Sequence, residues 1–339
     1  YARRLAQREI SSNALLRAYR LGHRRAREWV AGELAGVEPD GRVSFAALQM
    51  LQDAAFAYID RVSEQVVAEY ETERERWLAH RNTIRTATLS ALLAGEEVDV
   101  AAAEQVLGYR LRREHLGLVL WSDERMTSTD PLELLGQLTG AVAQEVGADS
   151  SPLFVPQDRS LGWGWIPLRA GAPVDLDGLA RILGEAGGEV KAAVGAVGTG
   201  LAGFRATHRQ ALRAHRVAVL GAERAQRITS FTAPGVRAAA ALAGDLDLAR
   251  DLVTSMLGGL AQDDEGVARL RETLTVFLQQ NQSFVATAAK VHLHKNTVKY
   301  RVDKAVRLRG RPIEEDRLDL ELALAACRWL GPAVLSRSA

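Results

Sequence analysis

A chain of 339 residues exceeds what one hydrophobic core ordinarily spans, so two or three domains are expected. With 47% hydrophobic and 25% charged residues it has the balance of an ordinary globular protein, and no apolar run approaches the ~18 residues of a membrane span. The net charge of +1 excludes a protein-wide polycation, and one cysteine excludes an internal disulfide and any zinc site built on cysteines.

The first 94 residues read as helical. Leu5, Leu15, Leu16, Tyr19 and Trp29 recur at spacings that fit one apolar stripe. Residues 36–41, with Pro39 and Asp40, read as a loop, and Ser44 as the N-cap of a long helix closed by Gly95. Leu48, Leu51, Phe56, Ile59, Val62, Val66, Tyr70 and Trp77 are among its apolar positions, and mixed charge over residues 69–81 fits an exposed connecting helix. From about residue 98, helix and strand alternate. Residues 116–121 (LGLVLW) and 190–197 read as strands. Leu161–Leu168 reads as a strand with Trp163 and Trp165 on one face and Gly162 and Gly164 on the other. Residues 132–146, 176–185 and 204–220 read as helices. From Pro234 onward the chain reads helical again, with breaks at Gly244-Asp245, Gly258-Gly259, residues 281–283, His292 and residues 310–312. Cys327 falls in an apolar helical run, residues 322–330, as a buried inert thiol. No signal-peptide pattern is present, and the expected location is the cytoplasm, with no membrane partner.

Charge is unevenly distributed. Arginine outnumbers lysine 38 to 5, as expected of a GC-rich genome, yet Lys290, Lys295, Lys299 and Lys304 fall within fifteen residues. Residues 283–311 hold eight Lys/Arg and one acid, Asp303, so this segment carries +7 on a near-neutral chain. A basic island of this kind suits local phosphate contact; a solvated basic face is the alternative.

The local pattern favours phosphate contact. Ser283 is placed to cap a short helix ending near Lys290, and three residues later His294 is placed to cap a second. Two helices joined by so short a turn fit a helix-turn-helix. The sharp turn falls on His292, where glycine is usual; histidine tolerates positive φ at some cost. On the second helix Val298, Val302, Ala305 and Arg309 share an inward arc, and Asn296, Lys299, Tyr300, Asp303 and Arg307 lie opposite. Asn296 and Lys299 suit base edges, whereas Thr297, Tyr300, Arg301 and Lys304, with Lys295 on the flank, suit phosphate oxygens. Asp303 is expected to face away from DNA or to pair with Arg307.

The string HLHKNTVKYRV over residues 292–302 resembles the HxNTxxYR hallmark of PucR/CdaR-type regulators. The likeness continues through RGRPIEEDRLDLELALAACRWLG and is preceded by ETLTVFLQQNQS, covering about sixty residues in all. Residues 98–220, including GLAGFRATHRQALRA, resemble the degenerate GGDEF-like domain of that family. No GGDEF or GGEEF string occurs, and its place is held by Asp158-Arg159-Ser160-Leu161-Gly162-Trp163-Gly164. The acids that would hold Mg²⁺ and activate a ribose hydroxyl are therefore missing. Residues 1–80, with RRLAQREISSNALLRAYRLGHRRAREWV, are similar to the helical N-terminal domain of actinobacterial members and stressosome-type sensors.

The resemblance implies a multidomain, mainly α protein. Its modules are a helical N-terminal bundle (1–80), a central α/β GGDEF-like domain (81–225) and a C-terminal all-α helix-turn-helix domain (226–335). It further implies a non-enzymatic transcription regulator that binds double-stranded DNA as a homodimer or higher oligomer, answers a small-molecule or protein signal, and needs no cofactor. The alternatives are a nucleotide-signalling enzyme using the GGDEF-like domain, or an interaction protein without DNA binding.

Other chemistry is weakly represented. His292 and His294 form an HxH pair without further metal ligands nearby. His208 and His215 share a helix face with no carboxylate at metal spacing, and a solvated or capping role is expected of them. The glycines of residues 195–203 (GAVGTGLAG) offer either a phosphate cradle or a close-packed turn, and the turn is favoured. Trp163 and Trp165 are read as core or interface rather than a ligand stack. Residues 123–130 offer no acid–base pair, and no Ser/His/Asp order suggests a triad.

Overall fold

In the computed structural model, residues 4–5, 10–37, 40–122, 130–185 and 190–336 are described. The chain divides into two compact units, residues 1–96 and 97–339.

The first unit is a helical pair, α1 (Ser12–Val37) and α2 (Gly41–Ala94). The 54-residue α2 would measure about 80 Å at 1.5 Å per residue. Its N-cap is Asp40, not Ser44: the Asp40 backbone is extended, and its carboxylate accepts the Arg42 amide at 2.9 Å. The expected loop is correspondingly short; its residues 38–39 lie outside the described residues. Gly95 closes α2 in the left-handed region, as its position in the sequence suggests. Tyr70 is buried, with Leu5, Tyr19 and Val66 packed around it. Trp29, Leu51 and Phe56 leave the expected apolar stripes and are exposed.

The second unit begins with α3 (Val100–Leu107), capped by Asp99 and closed by Gly108. Then come β1 (Glu114–Ser122), α4 (Pro131–Glu145), β2 (Leu153–Pro156), β3 (Leu161–Leu168), α5 (Leu176–Glu185), β4 (Val190–Val194), β5 (Gly198–Thr199), α6 (Gly200–Gly221) and β6 (Ile228–Ser230). The sheet runs β2-β3-β1-β4-β6, with β5 paired to β1; only β4–β6 is parallel. Side chains alternate across it. Leu116, Leu118 and Leu120 of β1 join Ile166, Val190, Ala192 and Val194 on one face, under α4 and α5. Val119 and Ala193 point to the other face, which α6 covers.

Beyond the sheet lie α7 (Val236–Leu242), α8 (Leu246–Leu257), α9 (Glu265–Gln279), α10 (Phe284–Val291), α11 (Lys295–Arg309) and α12 (Arg317–Leu330). The breaks between them fall where the glycine, asparagine and histidine signals place them. One apolar cluster runs without interruption from Val119 and Ala193 of the sheet, through Ala211, Ala214 and Val217 of α6, to the C-terminal helices. The fold is thus multidomain and mainly α, with a mixed central sheet and helix-turn-helix helices at its C-terminal end. Among the described residues no helix is long and apolar enough to cross a membrane.

Candidate nucleic-acid interface

Helices α10 and α11 form the helix-turn-helix, and local chemistry fixes both its ends. Ser283 is extended, and its Oγ accepts the Ala286 amide at 3.3 Å. Thr287, buried on the inner side of α10, donates to the Ser283 carbonyl at 2.7 Å. His292 ends α10 at φ 53° and ψ 43°, in the left-handed region that the turn demands. The Leu293 amide returns to Ala288 O at 3.1 Å. His294 caps α11, its Nδ1 accepting the Asn296 amide at 3.3 Å. Gly310 closes α11 at φ 83°. Phe284 packs on Phe277 of α9, ring centroids 4.6 Å apart, which seats the pair on the domain.

The two faces of α11 separate as the wheel indicates. Val298, Val302 and Ala305 are buried, and so is Arg309. That guanidinium donates to Met256 O at 2.8 Å and Pro312 O at 2.7 Å, and pairs with the Asp316 carboxylate. Asp316 also receives Arg311 at 2.9 Å, and Arg311 donates to Ser255 O at 2.6 Å. This clamp ties the end of α11 to α8 and to the start of α12. The wheel places Arg309 inward, but one of its acceptors, Met256 O, lies on another helix 53 residues away, which no local pattern displays.

Lys295, Asn296, Thr297, Lys299, Tyr300 and Lys304 all lie on the exposed face. Tyr300 is 58% exposed. Arg301 is half-buried and leans back on α9, donating to Thr273 Oγ1 at 3.3 Å. Asp303 and Arg307 are both exposed and form no ion pair with each other among the described residues. The side chains of three lysines, Lys295, Lys299 and Lys304, and of Asn296 therefore present a cationic, hydrogen-bonding ridge that enters no ion pair among the described residues.

The other candidates resolve differently. His208 is not solvated: it is 3% exposed, wedged between Trp163 and Trp165 with centroids 4.4 and 4.8 Å away, and burial pushes its pKa down to about 4. His215 is half-buried against Trp121 at 4.5 Å, and burial lowers its pKa too. The helix-face reading failed here because the sheet lies under that face. Trp165 is fully buried, stacked on Phe204 at 4.7 Å, with its Nε1 donating to Phe204 O at 3.2 Å. The residue 195–203 turn is filled by its own chain. A Cβ on Gly195 would stand 2.1 Å from Thr207 O, and one on Gly203 2.1 Å from the Gly198 carbonyl carbon. The Gly195, Ala196 and Gly200 amides already donate to Gly117 O, Gln210 Oε1 and Arg113 O. Where a GGDEF motif would stand, the β2–β3 hairpin has Asp158 accepting the Ser160 amide at 2.8 Å. Among the described residues no group of His, Cys, Asp and Glu could hold a metal; residues 123–129, most of the stretch searched for an acid–base pair, lie outside them. Cys327 is buried, its pKa pushed up to about 12 by desolvation.

Three family models match the chain in order: the RsbT co-antagonist protein rsbRD N-terminal domain at residues 1–85, the GGDEF-like domain at 90–217, and the PucR C-terminal helix-turn-helix domain at 270–326. The GGDEF-like and PucR helix-turn-helix matches fall where the resemblance to PucR/CdaR-type regulators places those modules. Among curated relatives, the uncharacterized protein YxkF of Bacillus subtilis strain 168 is 38% identical over 47 residues, 14% of this chain and 16% of that protein. An uncharacterized protein of the pkwA 5′ region of Thermomonospora curvata is 31% identical over 85 residues, 25% of this chain and 47% of its own length. The chain thus spans less than half the length of either relative. A regulator of polyketide synthase expression from Bifidobacterium adolescentis has 20% identity and a TM-score of 0.37, over 73% of this chain and 93% of its own.

Proposed function

We propose that the protein is a sequence-specific DNA-binding transcription regulator in which α11 enters the major groove. The observation that carries this reading is the first half of α11: a capped helix, anchored on its rear by Val298 and Val302, with Lys295, Asn296, Thr297, Lys299 and Tyr300 outward. Asn296 is the adenine reader and Lys299 a guanine or phosphate contact; Thr297, Tyr300, Lys295 and Lys304 hold the backbone. Arg301, leaning on Thr273, adds a phosphate contact with its remaining donors.

One helix-turn-helix covers one half-site, so the working form is a homodimer or higher oligomer. The three modules, at 1–80, 81–225 and 226–335, divide the work. The N-terminal and central modules receive a small-molecule or protein signal and alter the spacing of two α11 helices. The central module is not catalytic: its hairpin carries Asp158 as a turn cap and lacks the acid pair a cyclase needs.

Genomic fragments selected on the purified protein supply the operator. Asn296→Ala is expected to cost ~1–3 kcal/mol on that operator and to relax selectivity at one position. Lys299→Ala lowers the salt slope by about 1 if it meets phosphate. Affinity unchanged by both substitutions would remove α11 from the interface.

A further inference from the structure

Helix α6 carries Arg205, Arg209, Arg213 and Arg216 and not one Asp or Glu in its 22 residues. At 100° per residue the four arginines fall within an arc of about 80°, forming one ridge. Arg209, Arg213 and Arg216 are exposed and enter no ion pair among the described residues. Exposed helical arginine is matched in some places and not in others: Arg237 and Arg307 also enter no ion pair among the described residues, but each stands without a second unmatched arginine one turn away. On four other helices a glutamate one turn away matches an exposed arginine: Arg24 with Glu28 at 2.9 Å, Arg181 with Glu185 at 3.5 Å, Arg317 with Glu321 at 2.9 Å, and Arg269 with Glu265. Asp158, whose charge reaches His215 on α6, is occupied by the Ser160 amide and hydroxyl. The ridge is thus three unmatched arginines at one-turn spacing, their Cβ atoms on the order of 5–6 Å apart.

The ridge is also rigidly held. Phe204, Ala211, Ala214 and Val217 on the far side of α6 are wholly buried. The last three belong to the same apolar cluster as Val298 and Val302 beneath the α11 surface. Forked cations carried on one face of an anchored helix, in the same packed unit as α11, suit contact with backbone phosphates.

We propose that Arg209, Arg213 and Arg216 form a second DNA contact, gripping backbone phosphates of duplex beyond the half-site read by α11. This rests on the regulator reading above. The contact is sequence-independent, because guanidinium-to-phosphate bonds carry no base information.

The test measures affinity against salt on two duplexes of equal length, about 60 base pairs each, one carrying a selected operator and one of random sequence. Each lost phosphate contact lowers the log–log slope by about 0.9. The triple variant Arg209→Gln, Arg213→Gln, Arg216→Gln should therefore lose about 2.7 on both duplexes, with the ratio of the two affinities unchanged. A control triple, Arg24→Gln, Arg181→Gln, Arg269→Gln, removes the same charge from matched sites and should shift the slope by less than 1. Unaltered melting temperatures confirm that both variants are folded. An unchanged slope in the ridge variant, or an equal fall in the control, overturns the proposal. So does loss of binding to a polyglutamate probe with the DNA slope intact, which would assign the ridge to an acidic protein. If the unaltered protein binds neither duplex, the regulator reading falls first. If it binds and Asn296→Ala relaxes its selectivity while the ridge variant keeps its slope, only the ridge falls.

Discussion

His208 is a neutral imidazole held in an aromatic cleft, with Trp163 and Trp165 on its flanks and burial driving its pKa to about 4. The unfolded chain protonates this group near its ordinary value of 6.5, and the folded protein does so only near 4. Between those values the unfolded state binds the extra proton, so stability falls as pH drops through that window and levels off below it. The single group accounts for about 3 kcal/mol. His115 and His215, both lowered by burial, act in the same direction. Melting curves from pH 7 to 4 should show this decline, and His208→Phe, which keeps a ring in the cleft, should make it shallower; an unaltered slope would show that His208 is not the titrating group. Sequence alone placed His208 on a helix face but could not say which face meets the sheet. His292 was legible for the opposite reason: the turn is pinned between a short helix capped by Ser283 and a second capped by His294, and φ 53° follows from that local geometry. Holding a non-glycine residue there costs about 1–2 kcal/mol, which the caps and the α10–α11 packing offset.

At the level of elements, long amphipathic or strongly apolar segments announced themselves. β3 and α5 have the expected bounds, α11 runs from its expected cap His294 to the expected break at Gly310, and β1 and α4 differ by a residue or two. What escaped was short or two-faced. The four residues of β2 and three of β6 are too few for a periodicity to register. The start of α2 moved from Ser44 to Asp40 because both are good caps, and only the backbone decides between them. The proposed recognition helix, α11, hangs on two valines, Val298 and Val302. Val302→Ala removes two methyl groups from a site 3% exposed and should cost about 2 kcal/mol, cavity included. Urea denaturation should show that loss together with weakened operator binding. Weakened binding with undiminished stability would mean that Val302 meets DNA rather than the core.

For the molecule as a whole, the family resemblance marks a boundary near residue 225, whereas the apolar core ignores it. α6 packs against α7 and α12, and a Cβ on Gly221 would come within 2.8 Å of Trp329 O. No sequence pattern reveals this, because each helix reads amphipathic whichever partner covers it. Evolutionary modularity and physical autonomy therefore part company here. A polypeptide of residues 226–336 would carry Val236, Ala239 and Trp329 as an uncovered oily scar. It should bind a hydrophobic dye, melt broadly and aggregate, while residues 97–336 should unfold in one sharp calorimetric transition; a well-behaved short fragment would contradict the shared core. The same indivisibility bears on heredity. Recombination that exchanges the C-terminal module between relatives must also exchange, or re-fit, the surface of α6, so viable chimeras should cluster at crossovers upstream of α3 rather than at residue 225.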